Sequence, residues 1–379
     1  MLQRIDGSSI SEPELTSHIQ ALVEAASVTG LSVTIFNAGG LVYQQPFGLS
    51  NVETGDSLRT DHVFYGASLS KSVFGYLVAD LARDGIIDLD RPLQEYFSVP
   101  IPELPFANAW RGFQDLTDDP RYEKITARMC LGHTTGFPNW RWLTPQGLDE
   151  NGKLWIDFDP GTNYQYSGEG IRLLQIAAEE ITGEGLETLA RRRVFDPLGM
   201  EMTSYVWQDR FNESYCLGHA ADQTPFPKDT EDEAGAAGSM ENTPEDYAKF
   251  FGHVLRLAVM EDSLTQFLFA PSIRIRSKMQ FGPEAQEVTT ENDGIELSYG
   301  LGWGLLQTPF GLGAFKEGHG EGFQHYTILF PETGTGIMLL SNSDNAESIF
   351  KEVLELGVGD TFTPWRWENY VSYQGVTNS

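Results

Sequence analysis

The sequence predicts an α+β fold: one antiparallel β-sheet flanked by helices, assembled from both ends of the chain, with a mostly helical segment inserted between them. Three observations lead there. Two β-rich runs, Leu31-Ser-Val-Thr-Ile-Phe36 and Leu41-Val-Tyr43, flank the turn Asn37-Ala-Gly-Gly40 and read as a hairpin. From Tyr299 onward, four more strand-like runs follow one another with turn clusters between them. The intervening stretch carries helical periodicity and loops rich in Pro, Gly and Trp. The expected division is residues 1–85 with 241–379 for the sheet-bearing domain and 86–240 for the helical one.

Each element has a local reason. Residues 14–26 place Leu15, Ile19, Leu22 and Val23 on one helical face. Residues 69–84 carry Val73, Leu77 and Leu81 at the same period, with Gly85 as the stop. A third helix, 171–181, closes at Thr182-Gly183. A fourth opens at Thr243-Pro-Glu-Asp246, where Thr caps, Pro takes the first helical position and two acids face the helix dipole. The late strands are 299–307, 312–316, 323–330 and 336–341, separated by Thr308-Pro-Phe-Gly311 and Pro331-Glu-Thr-Gly334.

Composition bounds the function. The 379 residues (42.2 kDa) are 40% hydrophobic and 21% charged, an ordinary globular balance with room for one large or two intermediate cores. Charge is not ordinary: 25 Lys and Arg stand against 54 Asp and Glu, a formal net charge of -29 with a pI near 4.4. Such a surface repels phosphate backbones and anionic lipid, so no nucleic acid and no membrane is expected as a partner. The basic residues divide into 8 Lys and 17 Arg, and the acid excess reads as tuning for salt or solubility. Cys130 and Cys216 form neither a disulfide scaffold nor a zinc spacing. The first residues, Met1-Leu-Gln-Arg-Ile-Asp-Gly7, lack the apolar core of a secretory leader, and no apolar run approaches a membrane span. A soluble chain is expected; compartment and oligomeric state stay open.

Several catalytic signatures are absent: the Gly-x-Ser-x-Gly elbow, the phosphate-binding loop, His-Glu-x-x-His, and any histidine pair at i, i+4. No metal or organic cofactor is expected. What remains is Ser68-Leu-Ser-Lys71, a Ser-x-x-Lys at a helix start. Spacing of i, i+3 puts both side chains on one face, and a lysine whose ammonium is desolvated or crowded by cations can take the proton of a serine nucleophile. Ser348-Ile-Phe-Lys351 has the same spacing without such surroundings.

Order along the chain separates the two. Ser68-x-x-Lys71 is followed by Tyr166 in the loop Pro160-Gly-Thr-Asn-Tyr-Gln-Tyr166-Ser-Gly-Glu-Gly170, then by Lys316-Glu-Gly318 on a late strand. This succession resembles the penicillin-recognising serine hydrolases, in particular class C β-lactamases and the β-lactamase-like esterases and D-peptidases. His133-Thr-Thr-Gly136-Phe-Pro is similar to the family's HTSGLP landmark, Asp196-Pro-Leu-Gly-Met200 to its PLGM segment, and Tyr299-Gly-Leu-Gly-Trp303 to its YGLGW. Ala236-Ala-Gly-Ser-Met-Glu-Asn-Thr243-Pro-Glu-Asp246 resembles its AGG…ST.ED stretch. The resemblance covers about residues 15 to 345 and implies a β-lactamase/transpeptidase-like fold, with the active site between the two parts.

The resemblance also implies roles. Ser68 would attack a carbonyl, with Lys71 and the Tyr166 phenol sharing its proton, and Lys71 and Lys316 would lower the phenol's pKa. Backbone N–H groups of Ser68 and His319 would hold the oxyanion. Two departures stand out. Gly168 occupies the place of the family's Tyr-x-Asn asparagine. The third motif has two registers: ungapped, it is Lys316-Glu-Gly318, which is favoured; with a three-residue deletion, His319 replaces the lysine. A lysine at 316 would anchor a substrate carboxylate. Trp140 and Trp142, just after the His133 landmark, are candidates for an apolar substrate wall, while Trp365-Arg-Trp367 reads as a structural anchor. The expected activity is hydrolysis of an ester or amide, most in the manner of a carboxylesterase, with a β-lactamase or D-peptidase as the alternative. A catalytically silent binding member is the alternative of a different class. The expected partner is a small-molecule ester, amide or β-lactam.

Overall fold

The computed structural model describes residues 1–144, 147–149, 151–230 and 232–376. Its elements begin with helix α1, Glu12–Ala25, capped by Ser11, whose hydroxyl accepts the Glu14 N–H. Leu15, Ile19 and Val23 are its buried face. The hairpin follows as β1, Gly30–Asn37, and β2, Gly40–Asn51. Its two-residue turn, Ala38-Gly39, has positive φ at both positions, the geometry that matches strand twist. Helix α2, Leu69–Arg83, ends at Asp84, and α3, Gly168–Thr182, ends at the left-handed Gly183. Helix α4, Pro244–Val259, is capped by Thr243, whose hydroxyl accepts the Asp246 N–H.

The late strands are β3, Gly304–Thr308; β4, Gly311–Gly320; β5, Phe323–Phe330; and β6, Thr335–Ser341. They form an antiparallel meander whose last strand pairs with β1, in the register Ile337↔Ile35 and Leu339↔Val33. Both ends of the chain thus build one sheet. Among the described residues it has nine strands, with Ile273–Arg274 and Ser298–Tyr299 beyond β3 and Asp56–Ser57 beyond β2. Helix α5, Phe350–Gly357, packs with α1 on one face, against Ile337, Leu339, Val33 and Ile35. Helices α2 and α4 cover the other, against Met338 and Leu340. Period-two alternation inside β6 feeds both cores, which is why that strand reads as an unbroken apolar run.

Two strand expectations shift. The run 299–307 is interrupted: Gly302 donates to the Leu131 carbonyl and Leu301 to that of Leu268, so the backbone leaves the ladder between Tyr299 and Gly304. Strand β4 runs four residues past Lys316, because Gly318 and Gly320 pair with His325 and Phe323 across a tight turn. Its polar, glycine-rich end hid that extension. On the other side β3 pairs no further than Gly304↔Phe315, so among the described residues β4 from Lys316 onward has one flank without a strand. Segment 86–240 supplies helices, 3₁₀ turns and the α3 region, and its apolar residues join the α2–α4 core without a break.

Candidate active site

The turn into α2 makes Ser68 available. Ala67, just before it, has φ +46, and Ser68 itself caps nothing, so its hydroxyl is left over. Ser70 instead takes the structural work, donating to the Ala67 carbonyl at 2.6 Å and accepting the Met240 N–H. Ser68 is half-buried while Leu69, Ser70 and Lys71 are buried. One turn on, Lys71 Nζ donates to Ser68 Oγ at 3.0 Å and to the Ala237 carbonyl at 2.5 Å. Burial and then the charge of Lys316 push the Lys71 ammonium well below its ordinary pKa, with Glu317 opposing. An amine that gives up its proton more readily can serve as the base for a serine hydroxyl beside it.

Tyr166 approaches from the loop before α3. That loop is pinned to the 133–136 segment: Gly161 donates to the Thr134 carbonyl, Gln165 to that of His133, and the Ser167 N–H to His133 Nδ1. Ser167 also caps α3 through the Gly170 N–H. The Tyr166 phenol shares hydrogen bonds with Ser68 and with Lys316, whose Nζ lies 3.1 Å from its oxygen. Lys71 and Lys316 stand 5.0 and 5.1 Å from the centre of its ring. The expectation that these cations lower the phenol's pKa does not hold. Burial raises it by more than Lys316 lowers it, so the phenol keeps its proton.

The remaining candidates fall into two groups. Lys316 is fully buried and Gly318 lies over the Gly66 carbonyl, both facing the α2 turn. His319 does not share that place: its imidazole is 42% exposed and lies 3.4 Å from the Glu347 carboxylate. Gly168 has a steric reason. A Cβ there would stand 2.7 Å from the ring of Trp140, so the indole fills the space a family asparagine would need. Trp140 stacks on Trp142 at 4.7 Å, and Trp142 leans on Trp110 at 5.5 Å. These rings, with Phe106, Arg172 and Ala237, line a cavity of about 730 Å³. Ala237 also accepts the Lys71 bond, so cavity and Lys71 adjoin.

Sequence reasoning missed three supports. Arg141, fully buried, holds both oxygens of buried Glu169 at 2.9 and 2.8 Å and the Trp110 and Gly112 carbonyls, tying the indole loops to α3. His133 lies 4.2 Å from the Tyr166 ring and is held neutral by burial and the two lysines. Glu317, between the lysine and glycine of Lys316-Glu-Gly318, is buried against Lys316. Ser348, by contrast, spends its hydroxyl on the Asn345 carbonyl at 2.6 Å. Trp367 is packed against Tyr164 and Phe315. Among the described residues no three His, Cys, Asp or Glu gather as a metal cluster, and no helix is long and apolar enough to cross a membrane.

Comparison with known proteins agrees with this architecture. Lovastatin esterase of Penicillium rubens is 28% identical over 203 residues, 48% of this chain and 50% of that one. The match therefore spans about half of that relative's length. Penicillin-binding protein 4 of Amycolatopsis lactamdurans is 24% identical over 347 residues, covering 88% of this chain and 86% of its own. The octameric penicillin-binding protein homologue of Pyrococcus abyssi superposes with a TM-score of 0.70 at 19% identity, over 94% of this chain and 80% of that one. The Beta-lactamase family model matches residues 15–356, and the chain belongs to that family of serine hydrolases.

Proposed function

We propose that this protein hydrolyses an ester or amide through an acyl-enzyme on Ser68, and that it is a carboxylesterase. The observation that carries the reading is the 3.0 Å bond between Ser68 Oγ and Lys71 Nζ, whose pKa is pushed down first by burial and then by Lys316. Lys71 takes the hydroxyl proton as Ser68 attacks the carbonyl. Tyr166, protonated and bonded to Ser68 and Lys316, passes its proton to the leaving group and takes one back from the Lys71 ammonium, which returns Lys71 to its basic form for the release step. The backbone N–H groups of Ser68 and His319 hold the oxyanion, each worth about 3–4 kcal/mol in other enzymes. Water, an alcohol or an amine then releases the acyl group. The Trp110, Trp140 and Trp142 wall supports an apolar acyl or alcohol portion in a cavity that Arg111, Arg172 and Glu233 also line, and the esterase among the relatives favours the same class. A β-lactamase or D-peptidase is the second reading, favoured by the lysine on β4 and by the penicillin-binding relative.

Incubation with a fluorophosphonate followed by intact mass measurement tests the proposal. The parent and Ser348→Ala should gain one adduct and turn over p-nitrophenyl esters, and Ser68→Ala should do neither while keeping its melting temperature. An unlabelled parent would place the chain among silent binders. Parallel rates on nitrocefin and a D-amino-acid amide rank the two hydrolytic readings.

A further inference from the structure

The residue between the lysine and glycine of the third motif deserves its own reading. Lys316 Nζ has three donors and three acceptors around it: the Tyr166 phenol at 3.1 Å, the Glu317 carbonyl at 2.8 Å and the Glu317 carboxylate at 3.1 Å. The side chain of Lys316 has no exposed surface and that of Glu317 only 3%. Neighbours on a strand ordinarily face opposite sides of the sheet. Here the two nonetheless meet, with Lys316 Nζ 3.1 Å from Glu317 Oε1. Gln280 fixes the carboxylate from behind, donating to Oε1 at 2.8 Å. Burial disfavours both charges, yet each is held charged by the other: Lys316 titrates above its ordinary value and Glu317 below. The buried Glu368 carboxyl is pushed well above its ordinary pKa by burial and then by Glu317.

We infer that Glu317 is a specificity-determining residue that cancels the Lys316 charge and restricts the site to substrates without a carboxylate beside the scissile bond. The inference rests on the Ser68 acyl-enzyme reading and deepens it. An ammonium with a free donor attracts a substrate carboxylate through a charge-assisted bond. One whose donors are all engaged by a phenol, a carbonyl and a buried carboxylate offers neither donor nor net charge. A substrate carboxylate would have to displace Tyr166 or Glu317 to reach it, against the field of a chain carrying a formal -29. Neutral esters meet no such barrier.

The test compares phenyl acetate with 3-carboxyphenyl acetate, which differ by one carboxylate on the leaving group. The parent should favour the neutral ester in kcat/KM by tenfold or more. Glu317→Gln keeps shape and hydrogen bonds while freeing the charge. It should raise the carboxylate-to-neutral ratio of kcat/KM at least tenfold, through a lower KM for the carboxylate ester. The ratio cancels any general loss of catalysis, and Glu317→Thr, a good strand former, serves if the glutamine variant folds poorly. A parent indifferent to the carboxylate, or a ratio unmoved in both variants while the Ser68 acyl-enzyme still forms, overturns the inference. Loss of the acyl-enzyme in the parent overturns the underlying reading instead.

Discussion

Replacing Gly168 with Ala adds a single carbon and probes how the indole wall meets Tyr166. That carbon would stand 2.7 Å from Cη2 and Cζ2 of Trp140 and 2.9 Å from the Asn139 carbonyl oxygen. Carbon atoms pack at about 3.5 Å or more, so the ring must retreat by roughly 0.8 Å. Little room is given. Trp140 is stacked on Trp142, and the Asn139 carbonyl is bonded to the Gly168 and Glu169 N–H groups at 2.9 and 3.1 Å. Overpacking of this kind costs about 1–3 kcal/mol, and the better helix propensity of Ala offsets at most about 1 kcal/mol. Unfolding entropy for 379 residues is about 0.8 kcal/mol per kelvin, so calorimetry should show a melting temperature lower by about 1–3 °C. Trp140→Ala makes the room. The double-mutant cycle of the two changes should therefore return a coupling of about 1 kcal/mol or more. Esters with an aromatic acyl group should lose more kcat/KM in Gly168→Ala than acetates, since the displaced ring moves into the cavity. An unchanged melting temperature with zero coupling would refute the contact, and with it the steric reason for the missing asparagine.

Three further outcomes follow from the same geometry. The acid limb of the kcat/KM profile should have an apparent pKa well under the usual lysine value, because Lys71 must be neutral to act; Glu317→Gln removes a charge that raises Lys71 and should move that limb to lower pH. Linkage gives the sign for stability: a lysine depressed in the folded state binds fewer protons there than in the unfolded chain, so folding gains as pH rises toward about 10.4, and calorimetry should show Lys71→Met losing ground to the parent from about pH 6 to about pH 9. Tyr166→Phe should reduce kcat with little change in KM, since the phenol acts on a proton in transit, and a pure KM effect would return Tyr166 to packing. Arg141→Met removes the two-pronged partner of buried Glu169 and leaves it Arg172 at 3.9 Å and the residue-141 N–H, so the cost should not exceed the about 3–5 kcal/mol of an orphaned buried ion and the melting temperature should fall by up to about 6 °C.

The fold was largely legible because its signals are local. Thr243-Pro-Glu-Asp246 declares a helix start, Ala38-Gly39 a hairpin turn, and 336–341 a buried strand, each by physics that acts within a few residues. Ser68, Lys71, Tyr166 and Lys316 were visible as residue types in order, and the fold draws them within hydrogen-bonding reach. What stayed hidden depends on contacts between distant segments. Gly168 reads as a lost side chain until Trp140 is seen in its place. Arg141 and Glu169, 28 positions apart, give no sign of pairing in sequence. The rise of the Tyr166 pKa was misjudged for a related reason: charges can be counted along a chain, whereas desolvation depends on what the fold packs around the group.

That same balance argues for where the chemistry lies. Only 8 lysines occur in this acid-rich chain, yet Lys71 and Lys316 are buried side by side within about 5 Å of one phenol. A scaffold gains nothing from two amines in a dry place, where each loses its hydration and repels the other. The arrangement treats them unequally. Lys316 is given a carboxylate partner that favours its charge, whereas Lys71 is given a hydroxyl and a carbonyl and its pKa is pushed down by burial and then by Lys316. Two titratable groups pushed in opposite directions by their surroundings are what acid–base chemistry at neutral pH requires.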